Sequence, residues 1–285
     1  MQIKTINKVL SKKMDEWLET ISDGKLAARV KDNLLISGGS ITSLLLDQEV
    51  NDYDIYIKDV DVLKDLVKYY TAPYTNITVL DGRTDIKLDW LNNSEWIAKR
   101  TLKPDQIKLY FSGGAGMRVN EWEENLNYQP VFFSPNAISL SNDIQIVCRF
   151  HWDNVAIHKT FDFIHATNYY TTNNGLVTNK EALESILTKQ LKYQGSLYPL
   201  TTIIRIKKFL KRGWNISAGE MLKVMFQISE LDLKNPDVLE EQLIGVDVAY
   251  FSALIGILRN IEWDESRMTS QYLNACIDKV FNEAE

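Results

Sequence analysis

Apolar residues at the start of the chain recur at the spacing of a helix, and a short continuous apolar run follows them. The helical positions are Leu10, Met14, Leu18 and Ile21, which predict one helix within residues 7–31. The apolar run at residues 33–37 has the length of a buried strand, and Gly38 and Gly39 end it. A helix followed by a strand is therefore the expected opening of the fold.

The next segment continues with a short helix and an alternating strand. Residues 41–46 are mostly apolar and predict a short helix with Ser40 as its N-cap. Residues 52–57 alternate between polar and apolar side chains, which predicts a strand. Residues 60–70 return to helical spacing. The first 70 residues thus mix helices and strands.

Strand-like runs dominate the middle of the chain, and helical spacing dominates its end. The predicted strands are residues 76–80, 106–111, 137–140, 144–149 and 161–164. From residue 180 onward the long segments have helical periodicity. We therefore expect an α+β fold, in which a catalytic domain with a mixed sheet and helices spans residues 1–178. An all-helical domain is expected over residues 179–285.

Composition indicates the cellular compartment that suits the protein, but it does not indicate a function. The 285 residues are 45% hydrophobic and carry a net charge of −6, which disfavours non-specific coating of nucleic acid. Cys148 and Cys276 form no CxxC spacing, so we expect two reduced thiols and no disulfide. The N-terminus lacks a signal-peptide run, and no segment reaches the roughly 18 apolar residues of a membrane span. These features predict a soluble cytoplasmic protein.

Two short motifs carry candidate chemistry. Gly38-Gly39-Ser40 lies between a strand and a helix, where backbone N–H groups can approach a phosphate closely. Asp52 and Asp54 are two residues apart on the next strand, so their carboxylates point to the same face. Adjacent carboxylates repel each other unless a cation lies between them, and Mg²⁺ prefers carboxylate and phosphate oxygens. Either motif alone is more often a plain turn or a solvated strand end, but together they predict phosphoryl transfer.

The combined pattern resembles the signature of polymerase-beta-like nucleotidyltransferases, with a spacing similar to that of CCA-adding enzymes and bacterial poly(A) polymerases. The matching positions are Gly38, Gly39, Ile41, Leu45, Leu46, Asp52, Asp54 and Ile55. The resemblance implies that Gly38, Gly39 and Ser40 hold a nucleoside triphosphate. It also implies that Asp52 and Asp54 hold two Mg²⁺ ions, with Mn²⁺ as an alternative, and so are the catalytic carboxylates.

The resemblance leaves two points open. Thr42 and Ser43 replace the Arg-Asp pair of the CCA pattern, so the match covers the core chemistry rather than CCA addition. The superfamily also uses a third carboxylate on a neighbouring strand. Asp162 is the predicted catalytic and metal-binding residue there, because a charge between two aromatic residues is costly to bury without a bound partner. Asp143 lies in a predicted turn, where aspartate is common, and Gln145 could fill the equivalent place as a non-acid.

A second, looser resemblance to CCA-adding enzymes lies in residues 198–214, a predicted helix that carries several cations. Helical spacing places Arg205, Lys208 and Arg212 on one face that could meet triphosphate or RNA phosphates, and Arg205 and Lys208 are the predicted nucleotide-binding residues there. The apolar residues expected to pack inward are Leu200, Ile203, Ile204 and Leu210. The alternative is an amphipathic helix whose basic face is only solvated.

These features together predict a cytoplasmic enzyme that transfers a nucleoside monophosphate from an NTP to a hydroxyl and releases pyrophosphate. The CCA-like spacing favours the 3′ end of a tRNA-like RNA as the acceptor. A protein hydroxyl, as in toxin-type members of the superfamily, or a small molecule is the alternative, and the negative net charge suits it better. The non-enzymatic alternative is a nucleotide-binding module that has kept the fold and lost catalysis.

Overall fold

The chain forms two compact units, each built from helices and strands. The computed structural model describes residues 1–82, 102, 106–112, 116–119, 127–233, 235–242, 271, 272, 274, 275 and 278. The first unit holds residues 1–159 and 165–187, and the second holds residues 160–164 and the chain from residue 188 onward. The mixture of a sheet with helices agrees with the α+β class expected from the sequence. The domain boundary at residues 178 and 179 stays a prediction.

Six helices of the described chain begin within the first unit. They are α1 (Ile3–Glu19), α2 (Gly24–Asn33), α3 (Gly39–Leu45), α4 (Val60–Thr71), α5 (Asn154–His158) and α6 (Lys180–Thr188). The single helix predicted over residues 7–31 is wrong, because Asp23 starts a new helix there. Its carboxylate accepts hydrogen bonds from the backbone N–H groups of Lys25 and Leu26, which satisfies two donors at the start of α2.

The main sheet of the first unit has eight strands. The ten strands of this unit are β1 (Leu34–Ser37), β2 (Tyr53–Ile57), β3 (Ile77–Asp81), β4 (Ile107–Phe111), β5 (Met117–Arg118), β6 (Pro130–Ser134), β7 (Ala137–Leu140), β8 (Ile144–Val147), β9 (Tyr169–Thr171) and β10 (Gly175–Val177). The sheet order is β10-β9-β1-β2-β8-β7-β6-β5, while β3 and β4 form a separate antiparallel pair. Strands β2 and β8 are parallel, and the other neighbours are antiparallel.

One face of the main sheet carries the core. Tyr53, Ile55 and Ile57 of β2 lie beside Ile144 and Ile146 of β8 and pack with apolar residues of α1, α2 and α4. Each fully buried Ile or Leu contributes about 1.5–3 kcal/mol, so a register slip of one residue would expose this set and is strongly disfavoured. The residues between them on both strands therefore lie on the opposite face.

The second unit combines short strands with helices. Its described elements are β11 (Gln190–Leu191), β12 (Asn215–Ile216), α7 (Pro199–Lys211), α8 (Ala218–Ser229) and α9 (Pro236–Gln242). The two strands pair in parallel, although the sequence predicts only helices after residue 180. The strand predicted over residues 161–164 is wrong too: only Phe163 forms an isolated β-bridge, with Tyr193. In the part of the chain that the structure describes, no helix is long and apolar enough to cross a membrane.

Two further expectations concern individual side chains. Ile203 and Leu210 of α7 were expected to pack inward, but they are 51% and 43% exposed, and the buried face of α7 is formed by Pro199, Thr201 and Thr202. Cys148 is a buried free thiol, and its burial raises its pKa to about 12, as suits a small core residue. Cys276 lies outside the described residues.

Candidate active site

The candidate site begins where β1 runs into α3. Gly38 is buried and has φ 99° and ψ −147°, a conformation that is essentially reserved for glycine. Its backbone N–H donates to the carbonyl of Ala166 at 3.1 Å, which fixes the turn. Gly39 is exposed and starts α3, and a Cβ added there would meet nothing within 4 Å. The backbone of the turn is therefore accessible at Gly39, whereas at Gly38 it is buried and fixed by a hydrogen bond.

The carboxylate of Asp54 lies against this turn. A Cβ built on Gly38 would be 3.3 Å from Oδ2 of Asp54, so any other residue here would press against this carboxylate. Asp54 is half-buried on β2, while Asp52 is exposed just ahead of the strand. Asp54 lies between the core residues Tyr53 and Ile55, so its side chain lies on the face of the sheet opposite to the core. The structure thus brings the glycine turn and Asp54 together.

Hydroxyl groups of α3 have different roles from those expected. Ser40 is not the N-cap, because the helix starts one residue earlier and Gly38 holds the cap position. Its Oγ is buried and makes no hydrogen bond with the described residues. Thr42, which stands where the CCA pattern has arginine, donates through Oγ1 to the carbonyl of His165 at 3.1 Å. The Ser40 hydroxyl is therefore available to a ligand, whereas Thr42 supports the fold.

His158 and Asn168 contact Ser37, the residue just before the turn. Ser37, the last residue of β1, donates to the carbonyl of Asn168 at 2.8 Å. Its Oγ lies 2.9 Å from Nε2 of His158, which can donate to it. Burial lowers the pKa of His158 to about 4, so the ring is neutral at pH 7. Sequence reasoning did not identify Ser37 or Asn168, because no local pattern shows contacts more than 100 residues apart.

The neighbouring strand β8 places an amide, not an acid, beside Asp54. Gln145 is the register partner of Asp54 in the parallel β2–β8 pair. Asp143 precedes β8 in a turn with φ 60°, and its carboxylate is 3.9 Å from Nζ of Lys13. Within the described ranges, no group of three His, Cys, Asp or Glu side chains could hold a metal ion.

Asp162 and Arg205 lie in the second unit, where they bind each other. Nη1 of Arg205 donates to Oδ2 of Asp162 at 2.5 Å, and Oγ of Ser196 donates to Oδ1 at 2.7 Å. Asp162 is buried, and both of its carboxylate oxygens are occupied by these protein donors. Lys208 is exposed on α7. The predicted metal-binding role of Asp162 and the predicted nucleotide-binding roles of Arg205 and Lys208 stay predictions.

Comparison with known proteins gives one family match and several distant structural ones. The model of a family described as "Gabija anti-defense 2 family protein" matches residues 8–189. No match is found among curated proteins.

The solved structures similar to this chain include a CCA-adding enzyme of Thermotoga maritima complexed with tRNA, at 14% identity and a TM-score of 0.38, covering 95% of this chain and 68% of that one. A Bacillus stearothermophilus CCA-adding enzyme in complex with CTP gives 9% identity and a TM-score of 0.34, covering 78% and 47%. A tRNA nucleotidyltransferase complexed with a primer tRNA and an ATP analogue gives 12% and 0.35, covering 89% and 73%.

Proposed function

The chain belongs to the Gabija anti-defense 2 family, and from that premise we propose that it is a magnesium-dependent nucleotidyltransferase. In the proposed reaction, an acceptor hydroxyl attacks the α-phosphate of an NTP, a new P–O bond forms, and pyrophosphate leaves. The observation that carries the proposal is the position of the Asp54 carboxylate, whose Oδ2 lies 3.3 Å from where a Cβ of Gly38 would be. A carboxylate held this close to a phosphate-binding type of turn is the arrangement that phosphoryl transfer requires.

The residues present suit a hard divalent cation. Asp54 on β2 and Asp52 just ahead of this strand would supply oxygen ligands, and the exposure of Asp52 leaves room for water in the coordination shell. These two residues would hold Mg²⁺, or Mn²⁺ in its place, and the ion would neutralise charge that develops on the phosphate oxygens. Two ions, as the superfamily resemblance implies, belong to the proposal.

The glycine turn would hold the triphosphate. The open backbone at Gly39 permits close approach of phosphate oxygens, and the buried hydroxyl of Ser40 has no hydrogen-bond partner among the described residues. A buried hydroxyl of this kind costs free energy until a ligand satisfies it. Gly38 acts differently, because its N–H is bonded to Ala166 and its conformation positions Asp54.

Two kinds of acceptor hydroxyl are candidates for this reaction. An RNA 3′ end is the acceptor favoured by the motif spacing. The family's description as anti-defense favours a second candidate, a hydroxyl on a protein of the Gabija defence system, whose modification would inactivate that protein. The exposed cations Lys208, Lys211 and Arg212 of the second unit are among the described groups that could meet RNA phosphates.

Transfer of a radioactive label distinguishes these outcomes. The protein is incubated with each α-³²P-labelled NTP, Mg²⁺, total RNA and a lysate of cells that carry the Gabija system, and the products are separated before and after treatment with RNase or protease. Label that disappears with RNase identifies RNA as the acceptor, and label that disappears with protease identifies a protein. Absence of Mg²⁺-dependent label and of pyrophosphate release with every NTP would contradict the proposed function.

A further inference from the structure

The position facing Asp54 on the adjacent strand is occupied by Gln145. The β2–β8 register pairs Tyr53 with Ile144, Asp54 with Gln145 and Ile55 with Ile146. Because the flanking residues of both strands are buried in the core, Asp54 and Gln145 project together from the opposite face. Neighbouring strands lie about 4.8 Å apart, so the two side chains are within reach of a shared ion.

The orientation of the Gln145 amide supports a ligand role for its oxygen. Nε2 of Gln145 donates to Oγ of Ser139 at 3.5 Å, and Ser139 lies on β7, on the side of β8 away from β2. Because Nε2 makes this contact, the carbonyl oxygen is the amide atom that is left to bind a ligand. An amide oxygen is a hard neutral ligand that suits Mg²⁺ and Mn²⁺.

Other acids of the first unit are engaged differently at this end of the sheet. Asp143, two residues before Gln145, turns towards Lys13 of α1, which also lies over the ring of Tyr53 on the core face. Among the residues that the structure describes, no third His, Cys, Asp or Glu joins Asp52 and Asp54 in a metal-binding cluster.

We infer that Gln145 is the third metal-binding position of this site, with a neutral amide oxygen where the related enzymes have a carboxylate. The inference rests on the proposed function and deepens it. Two carboxylates and one amide give the empty site a charge of −2 instead of −3, so it binds free cations more weakly. Gln145 also does not act as a general base, because a neutral amide does not accept a proton near pH 7.

Titration of the full chain with Mn²⁺ alone, followed by calorimetry and by the EPR signal of free Mn²⁺, tests the assignment. Gln145→Leu removes the oxygen without changing charge, and we expect it to weaken Mn²⁺ binding about threefold or more. Gln145→Glu supplies the missing charge and should tighten binding about tenfold. Gln129→Glu makes the same chemical change at an exposed position ahead of β6, and should leave Mn²⁺ affinity unchanged. Circular dichroism confirms that each variant is folded.

The outcomes separate the inference from the proposed function. Unchanged Mn²⁺ affinity in folded Gln145→Leu overturns the inference, even if Gln145→Glu binds more tightly, because charge alone would then explain the gain. In that case, loss of Mn²⁺ binding in Asp54→Asn still supports the proposed metal site. If Asp54→Asn binds Mn²⁺ as the wild type does, the metal site of the proposed function fails, and the inference fails with it.

Discussion

Gly38 and Gly39 are adjacent in sequence but differ in what a side chain would meet. Gly38 has φ 99°, and a Cβ there would approach Oδ2 of Asp54, whereas a Cβ on Gly39 would meet nothing within 4 Å. We expect Gly38→Ala to lower the free energy of unfolding by about 1–3 kcal/mol, because the backbone conformation is strained for any other residue. Thermal or urea unfolding of the purified variant measures this change.

Gly39→Val is the matched variant, and we expect it to leave stability nearly unchanged. Its side chain would enter only the space that a bound triphosphate would use, so Mg²⁺–NTP binding should be lost in a folded protein. Ser40→Ala should weaken NTP binding more modestly, by about 1 kcal/mol, because one hydrogen bond is removed. Normal NTP affinity in Gly39→Val would mean that the turn does not contact phosphate.

A variant of Asp162 tests whether this residue is a structural ion-pair partner or a metal ligand. Removing the carboxylate leaves Arg205 half-buried without its partner, so we expect Asp162→Asn to lower the free energy of unfolding by about 3 kcal/mol. Asp65→Asn is the control, because its pair with Arg29 is similarly short, at 2.6 Å, but exposed, and should cost less than about 1 kcal/mol. An equal loss in the free energy of unfolding of the two variants would show that the buried pair stabilises the protein no more than the exposed pair does.

Mn²⁺ affinity of the same Asp162→Asn protein tests the role predicted from the sequence. An ion pair that only stabilises the second unit predicts unchanged affinity in the variant that remains folded. A large loss of Mn²⁺ binding would instead place Asp162 among the metal ligands, as the sequence predicts.

Local sequence could identify Asp52 and Asp54 but could not select their neighbour. The two aspartates and the glycine turn lie within 17 residues, so strand alternation and spacing are enough to predict them as one site. The partner across the sheet depends on the β2–β8 register, which joins residues about 90 positions apart. Asp162 was preferred because a charge between aromatic residues indicates a bound partner, and the structure supplies Arg205 and Ser196 as such partners.

At the scale of elements, the exposed cations in and just after α7 test whether RNA is the acceptor. Lys208, Lys211 and Arg212 are exposed, whereas Arg205 is paired with Asp162. If RNA is the acceptor, replacing these three exposed cations with Gln should weaken RNA binding. It should also reduce the slope of log affinity against log salt by about two units, at roughly 0.7 per lost phosphate contact. Fluorescence anisotropy over a salt series measures both quantities.

NTP binding of the same variant is the comparison. We expect it to fall much less than RNA binding, and an equal fall would support the predicted nucleotide-binding role of Lys208. An unchanged RNA affinity and slope would exclude this helix from the RNA interface. A wild-type protein that binds no RNA even at low salt would end the RNA hypothesis and leave nucleotidyl transfer to another acceptor.

Elements with strong local patterns were predicted well, and those made by distant pairing were not. The hairpin of β7 and β8 is read from two apolar runs around a Ser-Asn-Asp turn, and the structure has it in the predicted place. Strand β9 was missed, because Tyr169 and Tyr170 become a strand only by pairing with β1, more than 130 residues earlier. The break between α1 and α2 was missed although Asp23 followed by Gly24 is a local capping signal.

At the scale of the whole molecule, two buried histidines make the first unit sensitive to acid. Burial lowers the pKa of His158 to about 4 and of His165 to about 3, from about 6.5 in the unfolded chain. Below pH 6.5 the unfolded state therefore binds more protons than the folded state. The part of the free energy of unfolding that depends on these neutral histidines is fully present above pH 6.5 and is lost as the pH falls towards 4.

Thermal unfolding between pH 7 and pH 5 checks this dependence, because most carboxylates are still ionised there. We expect the melting temperature to fall across this range in the wild type. His158→Gln keeps a neutral side chain at every pH and should flatten part of the fall. The same pH dependence in His158→Gln as in the wild type would show that His158 is not the responsible group.

The central claim is that Asp54 holds a metal ion for nucleotidyl transfer, and Mg²⁺-dependent incorporation of α-³²P-labelled NMP by Asp54→Asn tests it most directly. The control is Asp32→Asn, an exposed aspartate at the end of α2. We predict that the wild type and Asp32→Asn incorporate label equally. Asp54→Asn should lose at least about a thousandfold in rate, because losing a metal ligand removes several kcal/mol of transition-state stabilisation, while its melting temperature does not fall. Incorporation by folded Asp54→Asn at the wild-type rate would contradict the account.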